Sequence, residues 1–123
     1  MSAVANEDQE FSDHEHSDTQ NVAPTDIAAC DRAAAIFRAL GDTNRLRLLS
    51  LLMTNELCVS EMTALLEDNL SAVSQRLKLL RSERIVVSRR DGKHIFYSLS
   101  DGHVRDLIAN ALAHGNEPDH EPH

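Results

Sequence analysis

Tryptophan is absent from this chain of 123 residues, and aromatic side chains make up only 3% of it. A core without large rings must be built from aliphatic residues, here within an apolar share of 41%. A small aliphatic unit of this kind often gains stability by pairing with a copy of itself. Cysteine is scarce too. Cys30 and Cys58 do not make a disulfide framework, and a reducing cytoplasm is the simplest reading. No apolar run approaches the roughly eighteen residues of a membrane span, so no membrane partner is expected. The opening MSAVANEDQEFSDHEHSD lacks the basic start and apolar stretch of a secretory signal.

Positive charge is missing where the chain begins and concentrated further on. Residues 1–31 hold eight acids and no Lys or Arg. Residues 76–93 hold seven bases (Arg76, Lys78, Arg81, Arg84, Arg89, Arg90, Lys93) against Glu83 and Asp91. The formal net charge of −8 therefore hides one sharply basic segment that can grip phosphate.

The polar, unpatterned residues 1–24 read as a disordered acidic arm, residues 25–117 as one folded domain, and 118–123 as a flexible tail. Apolar Ile27, Ala34, Phe37 and Leu40 among many alanines predict a helix from Asp26 that ends at Gly41. Asp42 or Thr43 caps the next, with Leu46, Leu49, Leu52 and Met53 at helical spacing. A short helix over CVSEMTALLE packs Val59, Met62, Leu65 and Leu66. Asn69 then caps LSAVSQRLKLLRSER, whose Leu70, Val73, Leu77 and Leu80 share a face. Two short helices joined by a tight turn, the second with small polar residues near its start, describe a helix-turn-helix. Around Asp91-Gly92, a strong two-residue turn signal, Ile85–Val87 and Ile95–Tyr97 read as the strands of a hairpin. The expected fold is mainly α with a β-hairpin wing: a winged helix-turn-helix acting as a homodimer on double-stranded DNA.

In that arrangement Ser71, Ser74 and Gln75 sit where side chains meet base edges in a major groove. Arg76, Lys78 and Arg81 would flank the phosphate backbone, and Arg89, Arg90 and Lys93 would reach it from the wing. A solvated basic face is the plain alternative for any one of these residues; their joint placement on the two elements favours DNA.

The last helix carries Val104, Leu107, Ile108, Ala111 and Leu112 at helical spacing, and two pairs of polar groups, Asp101/His103 and His114/Glu117. Imidazole and carboxylate suit zinc, and also cobalt or nickel. His103 and His114 lie about 16 Å apart along a helix axis, too far to share one ion. Two antiparallel copies of the helix would bring Asp101 and His103 of one chain to His114 and Glu117 of the other, with Val104, Leu107, Ile108 and Ala111 as the seam. Helix capping and the helix dipole are the simpler roles for the same side chains.

From about Ala34 to Glu117 the sequence resembles the ArsR/SmtB family of metal-responsive repressors. The resemblance lies in ALGDTNRLRLLSLL, ELCVSEM, SAVSQRLKLLR, RRDGKHIFYSL and DGHVRDLIANALAH. It is closest to the zinc-sensing branch, whose last helix carries Asp-x-His, ten residues, then His-x-x-Glu/His. Asp101, His103, His114 and Glu117 match that spacing without a gap. The resemblance implies a dimeric repressor on an inverted-repeat operator, released when zinc, or cobalt, nickel or cadmium in its place, binds between the last helices. It also implies that the free nitrogen of His114 contacts the end of the recognition helix, around Leu80 and Arg84.

The chain departs from the family in places. Members that use thiolates carry Cys-x-Cys on the third helix, where this chain has CVSE. Cys58 with Glu61, Cys30 and His14 or His16 is the set from which a second metal site could be drawn, against buried-hydrophobe and helix roles for the two thiols. Gln75 replaces a common His, and Gly115-Asn116 weakens the last turn before Glu117, for which Asp119, His120 or water could substitute. The rival functions are a thiol-redox repressor using Cys30 and Cys58, and a zinc-buffering protein without DNA binding. No nucleophile-and-base arrangement suggests an enzyme.

Overall fold

The computed structural model describes residues 21–118. By its contacts the chain divides at Asp31, and the core described below belongs to residues 32–118. The elements run α1 (Ile27–Leu40), α2 (Thr43–Leu51), β1 (Leu57–Cys58), α3 (Val59–Leu66), α4 (Leu70–Ser82), β2 (Val86–Asp91), β3 (His94–Leu99) and α5 (Gly102–Gly115).

α1 starts where the Asp26 carboxylate accepts the Ala29 N–H at 3.2 Å. It stops at Gly41, where a Cβ would stand 3.1 Å from the Phe37 carbonyl oxygen. Arg45 closes the junction: its Nε donates to the Ala39 carbonyl at 2.6 Å and its Nη2 to that of Arg38 at 3.1 Å. Those carbonyls are orphans of a helix end, and the guanidinium both bonds them and meets the negative end of the dipole. Asp42 is the cap of α2, accepting the Arg45 N–H at 3.0 Å.

The core joins Leu48, Leu49 and Leu52 from α2 and its end to Met62 and Leu66 of α3 and Val73, Leu77 and Leu80 of α4. Ala39 and Leu40 of α1, with Ile85, Val86, Leu99 and Ile108, complete it. Burying each such side chain is worth roughly 1.5–3 kcal/mol. Several residues expected to pack inward do not. Phe37, Leu65 and Leu70 are 58–59% exposed, and Ile27 is exposed as well. Periodicity identified an apolar stripe on each helix, but on α1, α3 and α4 the stripe is wider than the face that is covered.

The hairpin also differs from expectation by one residue. Asp91 pairs with His94, so the two loop residues are Gly92 and Lys93, not Asp91 and Gly92. Gly92 has φ 65°, and glycine at the first central position suits a type II′ turn. A third strand joins the sheet in the order β1-β3-β2, with Leu57 opposite Tyr97 and Cys58 opposite Phe96. At two residues, β1 is too short to show an alternation in sequence. Ile108, expected at a seam between chains, is fully buried against its own core; α5 thus spends its inner face on the monomer, leaving Ala111 and Leu112 exposed. Among the described residues no helix is long and apolar enough to cross a membrane.

Candidate functional site

The loop between α3 and α4 is held by a compact set of bonds. Glu67 ends α3 in the left-handed region (φ 53°, ψ 47°). The Asp68 carboxylate accepts the Asn69 N–H at 2.8 Å and Arg76 Nη1 at 2.7 Å, and the Asn69 side chain caps α4 by accepting the Ala72 N–H at 2.8 Å. The Arg76 guanidinium, and then the Asn69 amide, hold the Asp68 carboxyl below its ordinary value. Arg76, expected on phosphate, is here paired with Asp68 within the fold.

With Val73, Leu77 and Leu80 turned inward, Ser71, Ser74, Gln75, Lys78 and Arg81 are exposed on α4. Tyr97 of β3 lines an open groove with Ser74, Lys78 and Arg81. Its place beside these bases depends on the strand pairing and has no local signal in the sequence. On the wing, Arg90 and Lys93 are exposed at and beside the tip. Arg89 is engaged instead: its Nη2 lies 2.7 Å from Glu56 Oε1, its Nε 2.8 Å from Oε2, and its guanidinium 5.0 Å from the Phe96 ring centre. The Glu56 carboxylate raises the Arg89 pKa further above its usual value.

α4 ends in a Schellman arrangement. Arg84 takes φ 61°, its N–H bonds the Arg81 carbonyl at 3.0 Å, and the Ile85 N–H bonds that of Leu80 at 2.9 Å. Leu80 is fully buried. The Ser100 N–H then donates to the Ile85 carbonyl at 3.0 Å, joining the end of α4 to the start of α5. Asp101 and His103 share a shallow surface with Ser82, Glu83 and Arg84. Within one chain this pair lies beside the end of the recognition helix.

The four residues singled out on α5 form two separate pairs. Asp101 caps the helix through Oδ1, which accepts the Val104 N–H at 2.9 Å. Its Oδ2 remains 3.9 Å from His103 Nδ1. At the other end α5 reaches Gly115 with Asn116 as its cap, so the last turn persists, and Glu117 Oε1 lies 3.7 Å from His114 Nδ1. Both imidazoles are open to solvent, at 99% and 87% exposure. Two donors on one tetrahedral zinc, each about 2.0–2.1 Å from it, stand about 3.3 Å apart. Each pair therefore fits two corners of such a site after a shift of about half an ångström. Among the described residues no group of three or more His, Cys, Asp or Glu gathers around one point, so no other described residue completes either pair.

The thiol candidates are used differently. Glu61 Oε1 accepts the Cys58 N–H at 2.9 Å, which makes the pair a capping box for α3. That backbone bond, then the Cys58 side chain, holds the Glu61 carboxyl below its ordinary value. Cys58 Sγ lies 3.2 Å from Ser60 Oγ. Cys30 is exposed, its Sγ 4.0 Å from the Thr25 carbonyl oxygen. His14, His16, Asp119 and His120 lie outside the described residues.

A family model described as "Bacterial regulatory protein, arsR family" matches residues 42–88, the span from the α2 cap into the wing. The "Transcriptional repressor SmtB homolog" of Synechocystis is 42% identical over 97 residues, covering 76% of this chain and 74% of that one. The chain belongs to the ArsR/SmtB family. The family's members include the "Cadmium resistance transcriptional regulatory protein CadC homolog" of Staphylococcus aureus, 34% identical over 83% of this chain and 87% of its own length. A homodimeric winged helix-turn-helix DNA-binding domain from Mycobacterium bovis superposes with a TM-score of 0.71 at 27% identity, over 83% of this chain and 98% of that one. This ArsR/SmtB protein is accordingly a DNA-binding transcriptional regulator with the winged helix-turn-helix fold, and not an enzyme.

Proposed function

We propose that the protein is a homodimeric repressor that leaves an inverted-repeat operator when zinc binds between its two C-terminal helices. The observation that carries this reading is the division of α5 into two incomplete donor pairs, Asp101/His103 and His114/Glu117, each with a donor spacing that suits one edge of a tetrahedral site. Antiparallel crossing of two α5 helices completes both sites at once, as twofold symmetry requires. Cobalt, nickel and cadmium accept related donors, while the absence of a second thiolate beside Cys58 favours the harder N/O site. A bound divalent ion would supply a positive charge that links the two chains. Asp101 can serve that ion through Oδ2 while Oδ1 keeps its cap on α5.

Crossing the helices this way would set His114 of the partner subunit beside Asp101, and so close to Arg84 at the end of α4. A hydrogen bond from its free ring nitrogen to that helix end would bias how the two recognition helices are spaced. Second bonds of this type orient a ligand and transmit its position. Release of DNA by metal demands the reciprocal: operator binding weakens metal binding by the same factor. On DNA, Ser71, Ser74 and Gln75 would meet bases, and Lys78, Arg81, Arg90 and Lys93 phosphates. Such a regulator works where the chromosome is, in the cytoplasm.

The test is fluorescence anisotropy of the protein on DNA from its own promoter, titrated with zinc and repeated with His103→Ala. Tight binding that zinc abolishes only in the wild type is expected. Release by zinc that survives in the variant would sink the assignment.

A further inference from the structure

The first two turns of α4 carry an outward face with an unusual composition for DNA. Leu70 stands 58% exposed at the first helical position, and Ser71, Ser74 and Gln75 are exposed beside it. The one cation in these turns, Arg76, has a side chain only 20% exposed and lies 2.7 Å from Asp68. We propose that Leu70 reads a thymine methyl group in the major groove, next to an adenine held by Gln75, so that the half-site is recognised through A·T pairs. This deepens the DNA-binding reading of α4 and rests on it.

The chemistry follows from what each base edge offers. Guanine is most often read by Arg or Lys bidentate on O6 and N7, adenine by Asn or Gln on N6 and N7, and thymine by apolar contact with its methyl group. Arg76 is tied down, and no other guanidinium or ammonium precedes Lys78. The leading end of the helix, which is the part that enters the groove, therefore lacks the usual reader of guanine. It has instead an amide and an aliphatic side chain.

Leu70 and Ser74 are four residues apart, as are Ser71 and Gln75, so these pairs run side by side along the helix. Leu70 is not one of the apolar residues packed against the core. Nor is its position loose. The Asp68–Arg76 pair, the Asp68 bond to the Asn69 amide and the Asn69 cap on Ala72 hold the turn immediately before it. An apolar side chain held rigidly on a polar, DNA-facing surface is placed for a contact that its own chain does not make.

The experiment uses the full-length, metal-free protein and a pool of duplexes with a randomised centre. Selected sites are then remade with deoxyuridine for thymine, which removes only the methyl group, one position at a time. A·T pairs should dominate the positions under α4. Removing one methyl per half-site should weaken binding by about five- to tenfold, the lower part of the range for a lost base contact. Leu70→Ala should bind the thymine and uracil duplexes equally. Enrichment of guanine at those positions, or a uracil penalty that persists in Leu70→Ala, overturns the proposal while leaving DNA binding intact. A protein that enriches no duplex overturns the DNA-binding reading, and this inference with it.

Discussion

The amide of Ser100 donates to the carbonyl of Ile85 at 3.0 Å, and Ile85 in turn caps the recognition helix through the Leu80 carbonyl at 2.9 Å. Ser100 directly precedes Asp101, the cap of α5 and a proposed ligand. Backbone hydrogen bonds therefore run without interruption from the start of α5, where the proposed ligands Asp101 and His103 lie, to the last turn of α4. Arg84, in the left-handed conformation between them, makes a sharp corner of this junction. A displacement of Asp101 reaches α4 through two hydrogen bonds and not through a flexible loop. In the proposed mechanism, metal at Asp101 and DNA at α4 would act on this same junction, which is what coupling between two sites requires.

A site shared between chains makes a prediction that a site within one chain does not. Neither His103→Ala nor His114→Ala should bind zinc tightly as a homodimer. Mixed and allowed to exchange, they should regain it, because each heterodimer keeps one intact set: Asp101 and His103 from one variant, His114 and Glu117 from the other. Random exchange makes half of the dimers mixed, so recovery should approach about one quarter of a zinc per chain. Measured by competition with a chelating dye, no recovery on mixing would place the ligands within single chains.

Ile108 separates the roles of the two faces of α5. It is fully buried in the core of its own chain, so Ile108→Ala should cost about 2–5 kcal/mol. Urea unfolding monitored by circular dichroism would show it. Leu112 is exposed on the described chain and, in the proposed dimer, lies near the crossing. Leu112→Ala should leave the core largely intact and raise the dimer dissociation constant in analytical ultracentrifugation. The reverse pattern would mean that the helix pairs through its inner face.

Two carboxyl groups tie stability to acid pH. Glu61 is held below its ordinary 4.5 by the Cys58 amide, and Asp68 below its ordinary 3.8 by Arg76. A carboxyl whose folded pKa is depressed stabilises the fold above its unfolded pKa, and that contribution fades as pH falls through the folded value. The thermal midpoint should therefore hold steady from about pH 7 to 5 and drop below about pH 4.5. Asp68→Asn and Glu61→Gln should each flatten the acid limb while lowering the plateau. An acid limb identical in both variants would show that other groups set it.

Much of this was legible in the sequence because the signals are local. Asn69 before an apolar repeat announces a helix start, Asp-Gly between β-formers announces a hairpin, and Asp101-x-His103 with His114-x-x-Glu117 announces two donor pairs. What could not be read depends on which faces meet. Leu70 and Val73 belong to one stripe, yet only Val73 finds a neighbour. Arg89 looks like its neighbour Arg90 until the fold brings up Glu56, 33 positions earlier. Arg76 is withdrawn by Asp68 across the turn, and Tyr97 joins the basic groove through strand pairing. Periodicity ranks faces by polarity; it does not say which one is covered.

That distinction among the arginines can be measured through salt. Each phosphate neutralised by a side chain contributes about 0.9 to the slope of log affinity against log salt concentration. Arg90 and Lys93 are exposed on the wing, so Arg90→Ala and Lys93→Ala should each weaken binding to every duplex and reduce the slope by about one. Arg76 and Arg89 are already matched by Asp68 and Glu56 at 2.7 Å. Moving either guanidinium to a phosphate would strand a carboxylate beside the DNA, exchanging one ion pair for another while adding a like-charge repulsion. Arg76→Ala and Arg89→Ala should therefore leave the slope unchanged, and Arg76→Ala should lower the thermal midpoint because the turn before α4 loses its brace. A slope that falls by one in Arg89→Ala would mean that the wing exchanges Glu56 for phosphate on binding, with Glu56 then released as an acidic group at the edge of the interface.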